Sequence, residues 1–260
     1  MRQDETVTPP PGHPEPSRPL RSWIRSTPGT HIWLLIIVIT SIVIELSTEG
    51  LERFLLERNS SNIVQLSAHP VQSLLLSAFW IENPSSVLLY FVLFETFHAP
   101  VERWLGTLRW LFVVTTAHIA ATLISQKIVL MSIESHRVPL RMAHVVDIGV
   151  SYGLAASIGI LTYRVHGHWR WLYLAGAVAF FGIPLFTGGT FTDLGHAAAL
   201  AIGLTCWPLT KKEWRRTPAR GTVVEAEHDQ TPPDRERSET MTESSSPSSS
   251  QQGGTGQAPE

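Results

Sequence analysis

Apolar residues in the middle of this chain come in long unbroken runs rather than in alternation with polar ones. Ile32–Ile44 and Leu172–Phe186 are almost wholly apolar, and further runs of the same character lie between and after them. A helix needs about 20 mostly apolar residues to cross roughly 30 Å of hydrocarbon, and only helices and closed barrels satisfy every backbone polar group there. Continuous runs with no period of two exclude an outer-membrane barrel. The pattern predicts an all-α polytopic membrane protein with six spans, at about 30–47, 85–100, 107–126, 145–163, 169–187 and 191–209. No small-residue cleavage site follows the first run, which reads as an anchor and not as a removable signal peptide.

The flanks differ in kind. Residues 1–29 carry Pro9, Pro10, Pro11, Pro14, Pro16 and Pro19, and residues 210–260 run from a basic segment into Ser244-Ser245-Ser246 and Gly253-Gly254. Neither holds enough apolar residues to offset the entropy of ordering. The expected organisation is a disordered arm over 1–29, a membrane domain over 30–209 and a basic juxtamembrane segment with a disordered tail over 210–260. One connection is long, about 48–84. Within it Leu51-Glu52-Arg53-Phe54-Leu55-Leu56 suits a short interfacial helix, and a loop of this length often covers or gates a site.

Charge sets direction. Arg2, Arg18, Arg21, Arg25, Arg103, Arg109, Arg164, Arg170, Lys211, Lys212, Arg215, Arg216 and Arg220 fall on one side of the predicted spans, and Arg53, Arg58, Lys127, Arg137 and Arg141 on the other. The positive-inside rule then puts both termini in the cytoplasm, with the plasma membrane as the expected location. A net charge of −2 argues against nucleic acid as a partner. The single cysteine, Cys206, excludes an intrachain disulfide and a cysteine zinc site.

Ionisable groups inside spans are costly and mark function or a paired structural role. They are Glu45, Glu95, His118, Asp147, Asp193 and His196. The fourth and sixth predicted spans both enter from the outer side, so Ser151 and His196 lie at similar depth, about 9 Å at 1.5 Å of rise per residue. Gly149 and Gly153 flank Ser151, while Gly195, Ala199 and Gly203 form a small-residue stripe that lets two helices approach closely. A serine within reach of a neutral histidine is the minimum for nucleophilic catalysis. The plainer reading is a serine bonded to its own helix and a packed histidine.

Three segments, Val101-Glu102-Arg103-Trp104-Leu105-Gly106-Thr107-Leu108-Arg109, Gly149-Val150-Ser151 and His196-Ala197-Ala198-Ala199-Leu200-Ala201-Ile202-Gly203, resemble motifs of the rhomboid family of intramembrane serine proteases. Asp193, shortly before the histidine, and the stretch from Pro70 to Phe79 are similar to the family pattern too. The resemblance covers about residues 30–209 and implies a six-helix rhomboid-like bundle. It implies a serine-type endopeptidase with Ser151 as nucleophile and His196 as general base, no cofactor and no metal. The partners implied are single-span membrane proteins, as substrates or as bound helices, within the lipid bilayer.

The departures are specific. Tyr152 follows the serine where rhomboids carry glycine, which would set a bulky ring beside the nucleophile. Ser86 and Tyr90 stand where bacterial members carry a His-x-x-x-Asn pair that holds the oxyanion. Ser86, Tyr90 or His118 are the candidate donors in its place, and His118 equally suits a bond to a backbone carbonyl. Asp147 and Asp193 are candidates to orient a histidine, while Asp147 also suits a cap on the fourth span. A catalytically inactive rhomboid-like protein that binds other membrane helices is the alternative. A metal site of His118, His196, Asp147 and Asp193 is a third reading, without supporting ligand spacing.

Overall fold

The computed structural model describes residues 19–211, whose regular structure is all helical, with no strand among them. The expected tail and most of the N-terminal arm lie outside the described residues. The last part of that arm departs from expectation: Pro19–Ser26 forms a helix, α1, and α2 follows directly at Pro28–Glu45. Pro28 sits at the first helical position, where a missing N–H costs nothing. The long connection holds α3 (Glu49–Arg58), α4 (Ile63–Ala68) and α5 (Pro70–Leu76).

Beyond it lie α6 (Val87–Leu93), continued through a π-helical turn at Phe94–His98 into α7 (Ala99–Leu105), then α8 (Thr107–Glu134), α9 (Val150–Leu161), α10 (Trp169–Phe186) and α11 (Phe191–Thr205). Gly106 makes the sharp turn from α7 into α8 with φ at 86°, a backbone conformation that suits glycine.

Each predicted span falls on helical residues, but among the described residues three helices are long and apolar enough to cross a membrane: α2, α8 and α10. The helices at Pro70–Phe79 and Pro84–Leu105 pass together as a broken pair bent by 58°. The chain is thus an all-helical membrane protein, with apolar side chains such as Leu35, Phe112 and Phe180 on its exterior. The fourth and sixth predicted spans are shortened, α9 to 12 residues and α11 to 15. Helix α9 starts at Val150, not Val145, because Asp147 and Gly149 before it are tied to Ser60, Ser61 and Ser77 of the long connection.

Helix α9 is the central element. It packs on α11 and α8, and most of its side chains are buried. The crossing with α11 is a backbone contact. A Cβ on Gly203 would collide with the Ala156 backbone, and one on Gly159 would collide with the Leu200 carbonyl. Small residues permit this approach, as expected of the α11 stripe. On the α9 side, however, the contact is made by Ala156 and Gly159. Gly153 faces the Trp33 ring of α2, and Gly149 faces His118 of α8.

An aromatic cluster of Trp33, Phe94, His98 and Trp110 fills the space between α2, the π-helical turn and α8. Ser157 of α9 and the Trp110 indole both meet His98 Nδ1.

Candidate functional site

Ser151 occupies the first turn of α9, where a backbone N–H has no acceptor within its own helix. His196 lies one turn into α11, whose start is fixed by a capping box between Thr190 and Asp193. The close α9–α11 crossing brings the two together, and Ser151 Oγ lies 2.7 Å from His196 Nε2. Both residues are half-buried and border a cavity of about 820 Å³. Leu89, Tyr90, Leu93 and Phe97 wall it on one side, and Leu172, Tyr173, Phe180 and Phe181 of α10 on the other. Helix α10 packs on α11 and α9, and only Ala177 and Phe181 along it are buried.

The other candidates take separate places. Ser86 and Tyr90 line the cavity with the serine and histidine. His118 does not. Its Nε2 lies 2.8 Å from the Leu74 carbonyl and its Nδ1 3.1 Å from the Gly149 carbonyl, so the ring staples α5 and the start of α9 to α8. Asp193 borders the cavity but receives the Thr190 N–H at 2.7 Å as part of the helix cap.

Asp147 is not hydrogen-bonded to a histidine, and it does not cap α9, where Gly149 is the N-cap and no side chain bonds. Its buried carboxylate accepts from Gln126 Nε2 at 2.7 Å, the Tyr152 hydroxyl at 3.0 Å and the Ser61 hydroxyl at 3.3 Å. Tyr152 is wholly buried. Its ring turns away from the cavity and stands edge-on to His196, correcting the expectation that it crowds the nucleophile. Among the described residues no cluster of three or more His, Cys, Asp or Glu is placed to hold a metal, so the four-residue metal reading fails on geometry.

A family model described as rhomboid-like protein matches residues 22–216. The chain belongs to the rhomboid-like protein family. No curated protein matches it, and no solved structure does.

The rhomboid-like match reaches beyond the short motifs to every helix from α2 to α11. Part of the site leaves little trace in the sequence. Gln126 and Ser61, which belong to no motif of the sequence, both hold Asp147. Ser61 also donates its backbone N–H to the Asp147 carbonyl at 2.9 Å, and Ser60 Oγ receives the Asp147 N–H at 2.8 Å. The signal available was the polar run Asn59-Ser60-Ser61-Asn62 inside an otherwise greasy connection; all four are buried. Glu95, flagged as an intramembrane acid, is paired with His31 at 3.1 Å and accepts the Trp23 indole N–H at 2.7 Å.

Proposed function

We propose that this rhomboid-like membrane protein is a serine-type intramembrane endopeptidase, with Ser151 as nucleophile and His196 as general base. The observation that carries the reading is the 2.7 Å contact between Ser151 Oγ and His196 Nε2 at the edge of a mostly apolar cavity between α6 and α10. In this reading an unwound stretch of a single-span substrate enters between α6 and α10.

Ser151 Oγ attacks the scissile carbonyl carbon while its proton passes to His196 Nε2. The tetrahedral oxyanion collapses, the C–N bond breaks, and His196 returns the proton to the leaving amine. Water then attacks the acyl-serine ester, His196 takes its proton and gives it back to Ser151, and a carboxylic acid leaves. The Ser151 N–H, in the first turn of α9, is oriented to stabilise negative charge, and Ser86 and Tyr90 on the cavity wall are the side-chain candidates to assist it. His196 acts without a carboxylate on its Nδ1. Its ring is held by Tyr152 at a centroid distance of 5.2 Å and by Phe181 at 5.8 Å.

The topology that goes with this chemistry has six crossings. Helix α9 would begin inside the membrane, its 12 residues spanning about 18 Å, so that Ser151 lies below the outer surface under the α3–α5 connection. The basic ends of the helices would face the cytoplasm with both termini, in the plasma membrane. A second reading, an inactive rhomboid-like protein that binds membrane helices without turnover, is favoured by one observation: Ser86 and Tyr90 line the wall without a hydrogen bond to the dyad.

The deciding experiment is labelling of the purified full chain by a fluorophosphonate probe, with Ser151→Ala and His196→Ala beside it. Labelling that vanishes in both variants supports the hydrolase. Absence of labelling in folded protein, with a known serine hydrolase labelled in parallel, favours the helix-binding reading.

A further inference from the structure

At the end of the bundle where α2, α8 and α10 begin, the described charges are almost all positive. Arg21, Arg25, Arg103, Arg109, Arg164 and Arg170 gather there, with Lys211 just past α11. Cross-contacts place them on one end: Arg164 donates to the Pro100 carbonyl at 2.8 Å, and the Tyr163 hydroxyl to the Leu204 carbonyl at 2.7 Å.

The two acids at this end are held by internal hydrogen bonds and form no ion pair with a described lysine or arginine. Glu95 is engaged by His31 and Trp23. Glu102 is buried and accepts from Gly29, Thr30 and Thr107. These bonds keep both carboxylates away from the arginines without cancelling their charge, and seven basic side chains against two acids leave the described groups at this end with a positive excess. At the opposite end basic Arg53 and Arg58 share α3 with Glu49, Glu52 and Glu57.

A second observation says what faces this charge. Trp169, Trp171 and Trp207 are 61%, 68% and 47% exposed at the same end, and Lys211 Nζ sits 4.2 Å over the Trp207 ring. Exposed tryptophans beside basic side chains suit the headgroup layer, where the indole body is apolar and its N–H is wet. Helix α1 fits the same layer. It is docked by Trp23, which bonds Glu95 and carries the Arg103 guanidinium 5.1 Å above its ring. Arg21 and Arg25 of α1 are exposed and form no ion pair with a described residue.

We propose that this end is a binding surface for anionic phospholipid headgroups, with Arg21 and Arg25 of α1 as its free cationic edge. Juxtamembrane basic clusters recognise anionic lipid in this way. The surface lies at the other end of the bundle from the Ser151–His196 pair and holds whether or not that pair hydrolyses anything.

The test is thermal unfolding of the full chain in neutral detergent micelles, titrated with short-chain phosphatidylglycerol, short-chain phosphatidylcholine, inorganic phosphate or a poly-glutamate peptide. A ligand that binds the folded state raises the melting temperature by an amount that grows with the logarithm of its concentration over its Kd. Phosphatidylglycerol is expected to stabilise more than phosphatidylcholine, with the difference shrinking at high salt. Arg21→Gln/Arg25→Gln is expected to weaken apparent phosphatidylglycerol affinity by roughly tenfold or more. Arg53→Gln/Arg58→Gln, at the opposite end, leaves it unchanged.

Equal responses to the two lipids would overturn the proposal, as would an unaltered response of Arg21→Gln/Arg25→Gln. An equal effect of phosphate alone would reassign the surface to a soluble anion, and an effect of poly-glutamate without phosphatidylglycerol to an acidic protein partner. Should Arg21→Gln/Arg25→Gln fail to fold, the salt dependence of the native chain's lipid selectivity decides.

Discussion

The Tyr152 ring stands edge-on to the His196 imidazole, with centroids 5.2 Å apart and planes at 67°, while its hydroxyl donates to Asp147 Oδ1 at 3.0 Å. One side chain thus serves two partners. The ring fixes a histidine that has no carboxylate on its Nδ1, and the hydroxyl anchors that ring to Asp147, which Gln126 and Ser61 hold in turn. Tyr152→Phe keeps the ring and removes the anchor. It is expected to cost about 1–2 kcal/mol of stability, since a buried acceptor loses a donor, with labelling of Ser151 kept within a few-fold. Tyr152→Ala removes both and is expected to cost about 3–5 kcal/mol and to lower labelling far more than the loss of folded protein accounts for. Labelling rates normalised to folded fraction separate the two, and equal labelling in both variants would sink the positioning role.

Gly195 supplies an independent handle on the same ring. A Cβ there would lie 2.6 Å from Tyr152 ring carbons, which have no room to retreat. Gly195→Ala is therefore expected to displace the ring, lower the melting temperature and slow labelling. Placed on Tyr152→Ala it should cost little more, because the ring it strikes is gone. Such non-additivity is the signature of two residues acting through one contact. Strictly additive losses in the double variant would show that Gly195 matters for some other neighbour.

His118 has a different expected signature. Its ring nitrogens face the Leu74 and Gly149 carbonyls, and Ser77 Oγ lies 3.3 Å from Nε2. His118→Phe removes the one N–H that a neutral ring gives to these carbonyls, of which Gly149 still accepts the Tyr152 N–H, and is expected to cost about 1–3 kcal/mol. The melting temperature should fall while labelling of the protein that remains folded stays near the parent value. A large loss of labelling at unchanged stability would restore His118 as an oxyanion donor.

Much of this was legible in the sequence because the membrane imposes a coarse code. Continuous apolar runs located the helical membrane character, of which α2, α8 and α10 are long and apolar enough to cross, and the small residues Gly195, Ala199 and Gly203 marked the α11 face that contacts α9. What failed was anything depending on where a polar side chain finds its partner. Spacing placed Asp147 one turn from Ser151, but residues 145–149 are not helical, so its carboxylate meets Gln126 of α8 and Ser61 of the long connection. Tyr152 looked obstructive because its neighbour in sequence is the nucleophile. On a helix, consecutive residues point about 100° apart, and the ring turns into the core. The short helix over Pro19–Ser26 leaves little trace in a composition that the prolines upstream of it dominate.

Glu102 is the cleanest test of the scaffold apart from the chemistry. It is fully buried, and among the described residues no cation neutralises it. Its carboxylate accepts from the Gly29 and Thr30 N–H groups at 2.8 and 2.7 Å, and from the Thr30 and Thr107 hydroxyls at 2.6 and 2.8 Å. The first two donors are orphan N–H groups of the α2 first turn, so one acid caps α2 and ties it to the α7–α8 corner. Glu102→Gln replaces one acceptor oxygen by an NH₂ that points at a donor, and is expected to cost about 2–4 kcal/mol. The site lies at the bundle end away from Ser151, so the folded fraction should label at the parent rate. Denaturant unfolding in micelles, read beside labelling, checks both parts. Unchanged stability would mean that another group satisfies α2, and a selective loss of labelling would mean that this corner controls the geometry of the α9–α11 contact.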